Sequence, residues 1–184
     1  MRRIRARSRL HGSPYGMPRL PRRRHPTMTQ ERLFSIPQFS TTSDDYYTPK
    51  WIFDALGLEF DLDVACPPEG PLNTPCKHYY TQETDGLASV WFGTVWMNPP
   101  FSNTIPWVHK WIKHGDGIAL LPDTNRKWRT QLYEQADGIV ALPAQMKFVA
   151  ADGRRTDIRY STCLYSMGNP ATEALKASNI GRVR

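Results

Sequence analysis

Asn98-Pro99-Pro100-Phe101 combines four residue types suited to one task. Proline has no N–H and a fixed φ, so a Pro-Pro step leaves carbonyl oxygens without competing donors. The Asn98 side-chain oxygen and the Pro99 carbonyl can both accept hydrogen bonds from a single planar amino group, and Phe101 offers a flat face to an aromatic ring. Together they suit an exocyclic NH2 on a heterocycle, held so that its nitrogen lone pair can attack an electrophile. The competing reading is a proline-stiffened turn with a buried phenylalanine. Asp63 and Asp85 are the carboxylates best placed to meet a ligand. Each has a plain alternative: a solvent-facing Asp for the first, and an Asp that caps its own turn before Gly86 for the second.

The elements that must position these groups can be read from pattern. Phe92 to Trp96 reads as a buried strand, and Thr104-Ile105-Pro106-Trp107 as a helix start, so the Asn-Pro-Pro-Phe run sits where a strand gives way to a helix. In open α/β sheets ligands bind there, outside the carboxyl ends of strands. Residues 48–57 form a marked helix, with Thr48 as cap, Pro49 at the first helical position and Gly57 at the end. Phe60 to Cys66 alternates and stops at Pro67-Pro68, a strand with Asp63 near its carboxyl end. Lys77–Thr81 is a short strand, and Gln82–Leu87 a turn. Ile105 to His114 puts Trp107, Val108, Trp111 and Ile112 on one helical face, with Lys110 and Lys113 away from it. Gly117–Pro122 is wholly apolar, a buried parallel strand. Asp123 or Thr124 then caps a helix bearing Trp128, Leu132 and Ala136. Arg126, Lys127 and Arg129 near its start suit either phosphate contacts or a solvated face. Gly138–Leu142 is another buried strand. Lys147–Val149 and Tyr160–Tyr165 read as two strands joined by the loop Asp152-Gly153-Arg154-Arg155, either a basic substrate lip or a plain turn. Ala171–Ala177 suggests a last short helix.

The chain has 184 residues, 40% of them hydrophobic, enough for one domain with a sizeable core. No run approaches the ~18 apolar residues of a membrane span, and there is no secretory h-region. Cys66, Cys76 and Cys163 fit no disulfide or zinc spacing and read as free, buried thiols in a cytoplasmic protein; no metal is expected. The net charge of +7 is not spread over the chain. Residues 1–26 hold nine Arg and no acid, which leaves fifteen basic against 17 acidic residues in the rest. A globally basic surface is therefore not supported, whereas a local groove is compatible. Residues 1–27 read as a disordered tail: a non-specific phosphate contact, a targeting peptide, or a segment preceding a native start at Met28. Residues 28–45 read as a linker, 46–170 as the catalytic domain, and 171–184 as a C-terminal helix and tail.

Strands alternating with helices imply an α/β domain, a mostly parallel sheet with helices on both faces, and antiparallel strands at the end. Asn98-Pro99-Pro100-Phe101 resembles the Asn-Pro-Pro-Tyr/Phe motif of amino-group methyltransferases, which use S-adenosylmethionine (SAM). The order of Thr48-Pro49, Asp63-Val64-Ala65, Tyr79-Tyr80-Thr81, Asp85-Gly86-Leu87, Trp91, the Asn-Pro-Pro-Phe run and Leu121-Pro122 resembles the phage-type DNA N-6-adenine methyltransferase (Dam) family over residues 46–168. That resemblance implies a Rossmann-like, SAM-dependent fold, double-stranded DNA as substrate and adenine N6 as acceptor. It implies that Thr48, Pro49, Asp63, Ala65 and Asp85 surround SAM and that Asn98, Pro99, Pro100 and Phe101 form the acceptor site. The loop after Asp63 departs from many SAM enzymes in holding only Gly70. No room remains for a separate recognition domain, so specificity falls to residues 99–106, 123–130 and 150–159. Cytosine N4, guanine N2 in RNA, protein glutamine, and a non-enzymatic DNA-binding protein stay as alternatives, and oligomeric state stays open.

Overall fold

A computed structural model describes residues 46–144, 146–150, 153–157 and 161–184. The segments 1–27 and 28–45, with Asp152 and Tyr160, lie outside the described residues. Six strands form the main sheet: β2 (Phe60–Asp63), β3 (Cys76–Tyr79), β4 (Val95–Met97), β5 (Gly117–Pro122), β6 (Gly138–Ala141) and β9 (Thr162–Met167), in the order β3-β2-β4-β5-β9-β6. β3, β2, β4 and β5 run parallel, while β9 is antiparallel to both β5 and β6. Five strands thus point one way, and β9 is inserted against them.

The strand order decides where a ligand can sit. After β2 the chain moves outward to β3; it then returns to place β4 on the other side of β2. Connections leaving β2 and β4 therefore diverge, and their carboxyl ends form the switch point at which open α/β sheets hold ligands in a crevice. Asp63 pairs with Trp96 in that register, so Asp63 and Asn98 emerge side by side.

Two helices cover each face. α2 (Thr104–His114) and α3 (Lys127–Gln135) press Trp107, Val108, Trp111, Trp128 and Leu132 onto one side, against Val95, Met97, Ala119, Leu121, Cys163 and Tyr165. α1 (Lys50–Leu56) and α4 (Asn169–Ala177) press Ile52, Phe53, Leu56, Ala171 and Leu175 onto the other, against Trp96, Ile118, Leu120 and Leu164. The period of two along β4, β5 and β9 supplies both cores from the same strands. Each fully buried large apolar side chain, such as Phe60 or Leu120, contributes about 1.5–3 kcal/mol.

Several elements differ from expectation, each for a local reason. The strand leading to the Asn-Pro-Pro-Phe run begins at Val95 rather than Phe92, because Gly93 turns the chain at φ 62° and the Asp61 carboxylate accepts from the Thr94 N–H; Phe92 is left exposed. α1 starts at Lys50 with Pro49 at its cap position, and Thr48 makes no capping hydrogen bond. α3 starts at Lys127 with Arg126 at its cap position and no side-chain cap, so neither Asp123 nor Thr124 caps it. The turn containing Gly153 joins β7 (Lys147–Ala150) to β8 (Arg155–Asp157), not to β9. With β1 (Tyr46–Tyr47), these two make a separate three-stranded antiparallel sheet. The C-terminal residues join the main domain: Ile139 and Arg184 exchange backbone hydrogen bonds. Cys66 and Cys163 are buried free thiols and Cys76 is half-buried; burial pushes the Cys76 thiol up to about 11. No helix among the described residues is long and apolar enough to cross a membrane.

Candidate active site

Asn98 leaves the end of β4 half-buried. Its Nδ2 donates to the Tyr46 carbonyl at 3.2 Å. Because the partner is an acceptor, the amide nitrogen must face it, and Oδ1 is turned the other way. The next carbonyls are sorted as strictly. Asn103 N donates to the Pro100 carbonyl at 3.1 Å, and Thr104 Oγ1 to the Phe101 carbonyl at 3.3 Å, as the chain winds through a 3-10 turn (Phe101–Asn103) into α2. The Pro99 carbonyl accepts no hydrogen bond from the described residues. Asn98 Oδ1 and the Pro99 carbonyl are thus two acceptors of this turn that take no hydrogen bond from the described residues. Phe101 follows the Pro-Pro step, half-buried, in a small cleft of about 140 Å³ that it shares with Thr124, Arg126 and Trp128.

Asp63 ends β2 buried, 3% exposed. Its Oδ1 accepts from Ala65 N at 3.1 Å, and the Thr74 hydroxyl also donates to it. Among the described residues no basic side chain pairs with it, and burial pushes its carboxyl up to about 7. Thr48 is likewise buried, and its Oγ1 has no hydrogen-bond partner among the described residues. Asn73 Nδ2 fixes the Thr48 carbonyl at 2.9 Å. A buried carboxylate without a cation and a buried hydroxyl without a partner, with Thr48 two residues from the Asn98 anchor, suit a ligand bearing an ammonium and hydroxyl groups. SAM carries both, so these residues fit it.

Asp85 is brought close to this crevice but is otherwise engaged. Its Oδ1 accepts from Leu87 N and Ala88 N, at 3.0 and 3.1 Å, and its φ is 47°. The turn that it caps is packed onto the end of β2: a Cβ on Gly86 would stand 2.0 Å from the Val64 carbonyl oxygen. Lys110 holds the turn from α2. Its ammonium donates to the carbonyls of Gly86 at 3.0 Å, Leu87 at 2.8 Å and Ser89, 4.8 Å from the centre of the Trp91 ring. Lys110, read as lying away from the apolar face of α2, is thus half-buried against this turn, and burial draws its pKa down. Sequence reasoning missed Lys110, Thr74 and the Tyr46 carbonyl; the last lies 52 residues from Asn98, and no local pattern announces it.

The basic residues separate. Arg126 and Lys127 are exposed, Arg126 on the cleft beside Phe101. Arg129 is an ion-pair partner of Asp123, Nε to Oδ1 2.6 Å, and its guanidinium stacks over Tyr133. Arg154 and Arg155 are exposed at the β7–β8 turn, away from Phe101's cleft; Arg155 lines a second cleft beside Pro49. Among the described residues no group of three His, Cys, Asp or Glu could hold a metal ion.

The chain is thus a mixed α/β domain whose mostly parallel sheet has its strand switch between β2 and β4, with Asn98-Pro99-Pro100-Phe101 at the end of β4. Residues 38–164 match the model of the DNA N-6-adenine-methyltransferase (Dam) family, and the chain belongs to that family. It is 32% identical over 127 residues to the DNA N-6-adenine-methyltransferase of Haemophilus phage HP1, covering 62% of this chain and 72% of that protein. It is 35% identical over 96 residues to the DNA N-6-adenine-methyltransferase of Escherichia phage T1, covering 48% of this chain and 39% of that protein. No solved structure matches.

Proposed function

We propose that this chain transfers a methyl group from SAM to the exocyclic N6 of adenine in double-stranded DNA, on a Rossmann-like fold whose strand switch holds both substrates. The observation that carries the reading is the pair of acceptors left at Asn98 Oδ1 and the Pro99 carbonyl, while neighbouring donors and acceptors are consumed internally. When bound, SAM supplies an electrophilic methyl group; Asp63, Thr48, Pro49 and the backbone at Ala65 are the residues that would hold it, with the Asp85 turn as the adjoining wall. The target adenine leaves the duplex, at a cost of roughly a few kcal/mol. Asn98 and Pro99 accept from its two N6 hydrogens and draw the lone pair out of conjugation with the ring. Phe101 supports the base. A neutral amine needs no strong base before attack, so the chain acts mainly by orientation, for which Asn98 is pre-set by Tyr46.

Asn98→Ala tests the assignment. Turnover is expected to fall at least a hundredfold, with SAM affinity by calorimetry within about threefold of the parent. Equal losses in both would place Asn98 with the cofactor instead.

A further inference from the structure

A second cleft, of about 600 Å³, lies beside the start of α1 and is within the size range of small-molecule sites. Of its lining residues, the proposed chemistry uses only Pro49. Trp51 and Leu72 on its wall are 43% and 58% exposed, although the rest of α1 buries Ile52, Phe53 and Leu56 in the core. Met146 and Val149 extend the apolar wall. Among the described residues its charged lining is basic: Lys50, Lys147 and Arg155. Lys50 and Lys147 pair with Asp54 and Asp157, whereas Arg155 forms no ion pair among the described residues.

We propose that this cleft holds a nucleotide of the DNA strand near the target adenine, its base against Trp51 and its phosphate on Arg155. An aromatic face beside cations is the chemistry by which unstacked bases are held without hydrogen-bond readout. Charge complementarity favours DNA over the chain's own residues 1–26, whose nine Arg would repel the same cations. Position favours a flanking nucleotide over the target itself. Tyr46, which anchors Asn98, and Pro49 on the cleft are three residues apart, about 10 Å of extended chain or roughly three base steps of duplex. β1 also pairs directly with β7, through Tyr47 and Val149, and Val149 pairs with Arg155. The β7–β8 hairpin therefore continues the acceptor site along the DNA and adds a sequence-tolerant grip on the strand.

The inference rests on the DNA-methylating reading above, and the test separates the two. Methyl transfer to unmethylated genomic DNA is measured for the full chain, Trp51→Ala, Trp51→Phe and Arg155→Ala, with SAM affinity and melting temperature alongside. Trp51→Ala is expected to raise KM for DNA about tenfold, with kcat at saturating DNA within twofold and SAM affinity unchanged; Trp51→Phe restores most of the loss. Arg155→Ala is expected to lower the slope of log affinity for DNA against log salt by about one. If the parent methylates DNA and both alanine variants match it within twofold, the cleft proposal is overturned and the activity stands. A Trp51→Ala variant that melts several degrees lower with unchanged KM for DNA also overturns it, since the chain's own apolar residues then cover the cleft. A parent that binds SAM but neither binds nor methylates DNA overturns the functional reading and the cleft with it.

Discussion

Asp63 holds a carboxylate where water does not reach and no described cation compensates. Its carboxyl ionises near 7 instead of 3.8. Between those values the folded chain keeps a proton that the unfolded chain releases. The associated stability is complete below about pH 4 and declines as pH rises through about 7. A ligand ammonium reverses the preference by favouring the carboxylate. Affinity for SAM is therefore predicted to increase between about pH 6 and 7.5, and Asp63→Asn to weaken binding and flatten that dependence while leaving the ligand-free protein no less stable above pH 7. Calorimetric titrations across the range decide it; a pH-independent parent would remove Asp63 from the ammonium site. At this scale the sequence was informative where chemistry is local. Asn98-Pro99-Pro100-Phe101 was legible as the passage from a strand to a helix, and Asp63 as a strand-end residue. The sequence did not show that Thr48 is a buried hydroxyl instead of a helix cap, because that depends on where Asn73 and β1 arrive.

The turn over residues 84–89 shows how an element can be held by charges at both ends. Asp85 accepts from N–H groups at its start, and Lys110 donates to carbonyls at its finish. Lys110→Met leaves those carbonyls without their charged donor, a loss of roughly 1.5–3 kcal/mol. For a chain this size, that lowers the melting temperature by roughly 3–10 °C. Gly86→Ala drives a Cβ into the Val64 carbonyl and must displace the turn from β2. It is predicted to weaken SAM affinity more than it weakens DNA affinity, as paired titrations would show; the opposite order would detach the turn from the cofactor. Element types were legible because periodicity is a one-dimensional signal: α2, β5 and α4 fall close to their expected bounds. Faces and partners were less so. Lys110 sits away from the buried stripe of α2, yet it is drawn in by three carbonyls some 20 residues upstream. Residues 147–165 were read as two strands, but they divide between two sheets.

In the described α/β domain, three layers put Asp63 and the Asn98-Pro99-Pro100-Phe101 turn at the carboxyl ends of neighbouring strands of a mostly parallel sheet. The alternation of strands and helices foretold the layers and both covered faces. It did not foretell the strand order, which creates the switch between β2 and β4 and depends on long-range pairing. Beyond residue 26 the chain is near neutral, so its grip on DNA depends on few cations placed close to the site. Arg126→Ala with Lys127→Ala is predicted to reduce the salt slope of DNA binding by about two. Arg129→Ala, which breaks the pair with Asp123, should instead cost stability and leave that slope nearly unchanged. Filter-binding at several salt concentrations, with thermal melts, separates these roles; a slope that falls equally for Arg129 would place that guanidinium on phosphate. The central claim is methyl transfer to adenine N6 through the acceptors at Asn98 and Pro99. It is tested most directly by incubating the protein with isotopically labelled SAM and unmethylated double-stranded DNA, digesting to nucleosides, and identifying the labelled product by mass spectrometry, with Asn98→Ala in parallel. Labelled N6-methyladenine, formed by the parent and lost in the variant, is the predicted result. Label in cytosine, label in no nucleoside, or N6-methyladenine formed equally by Asn98→Ala would contradict it.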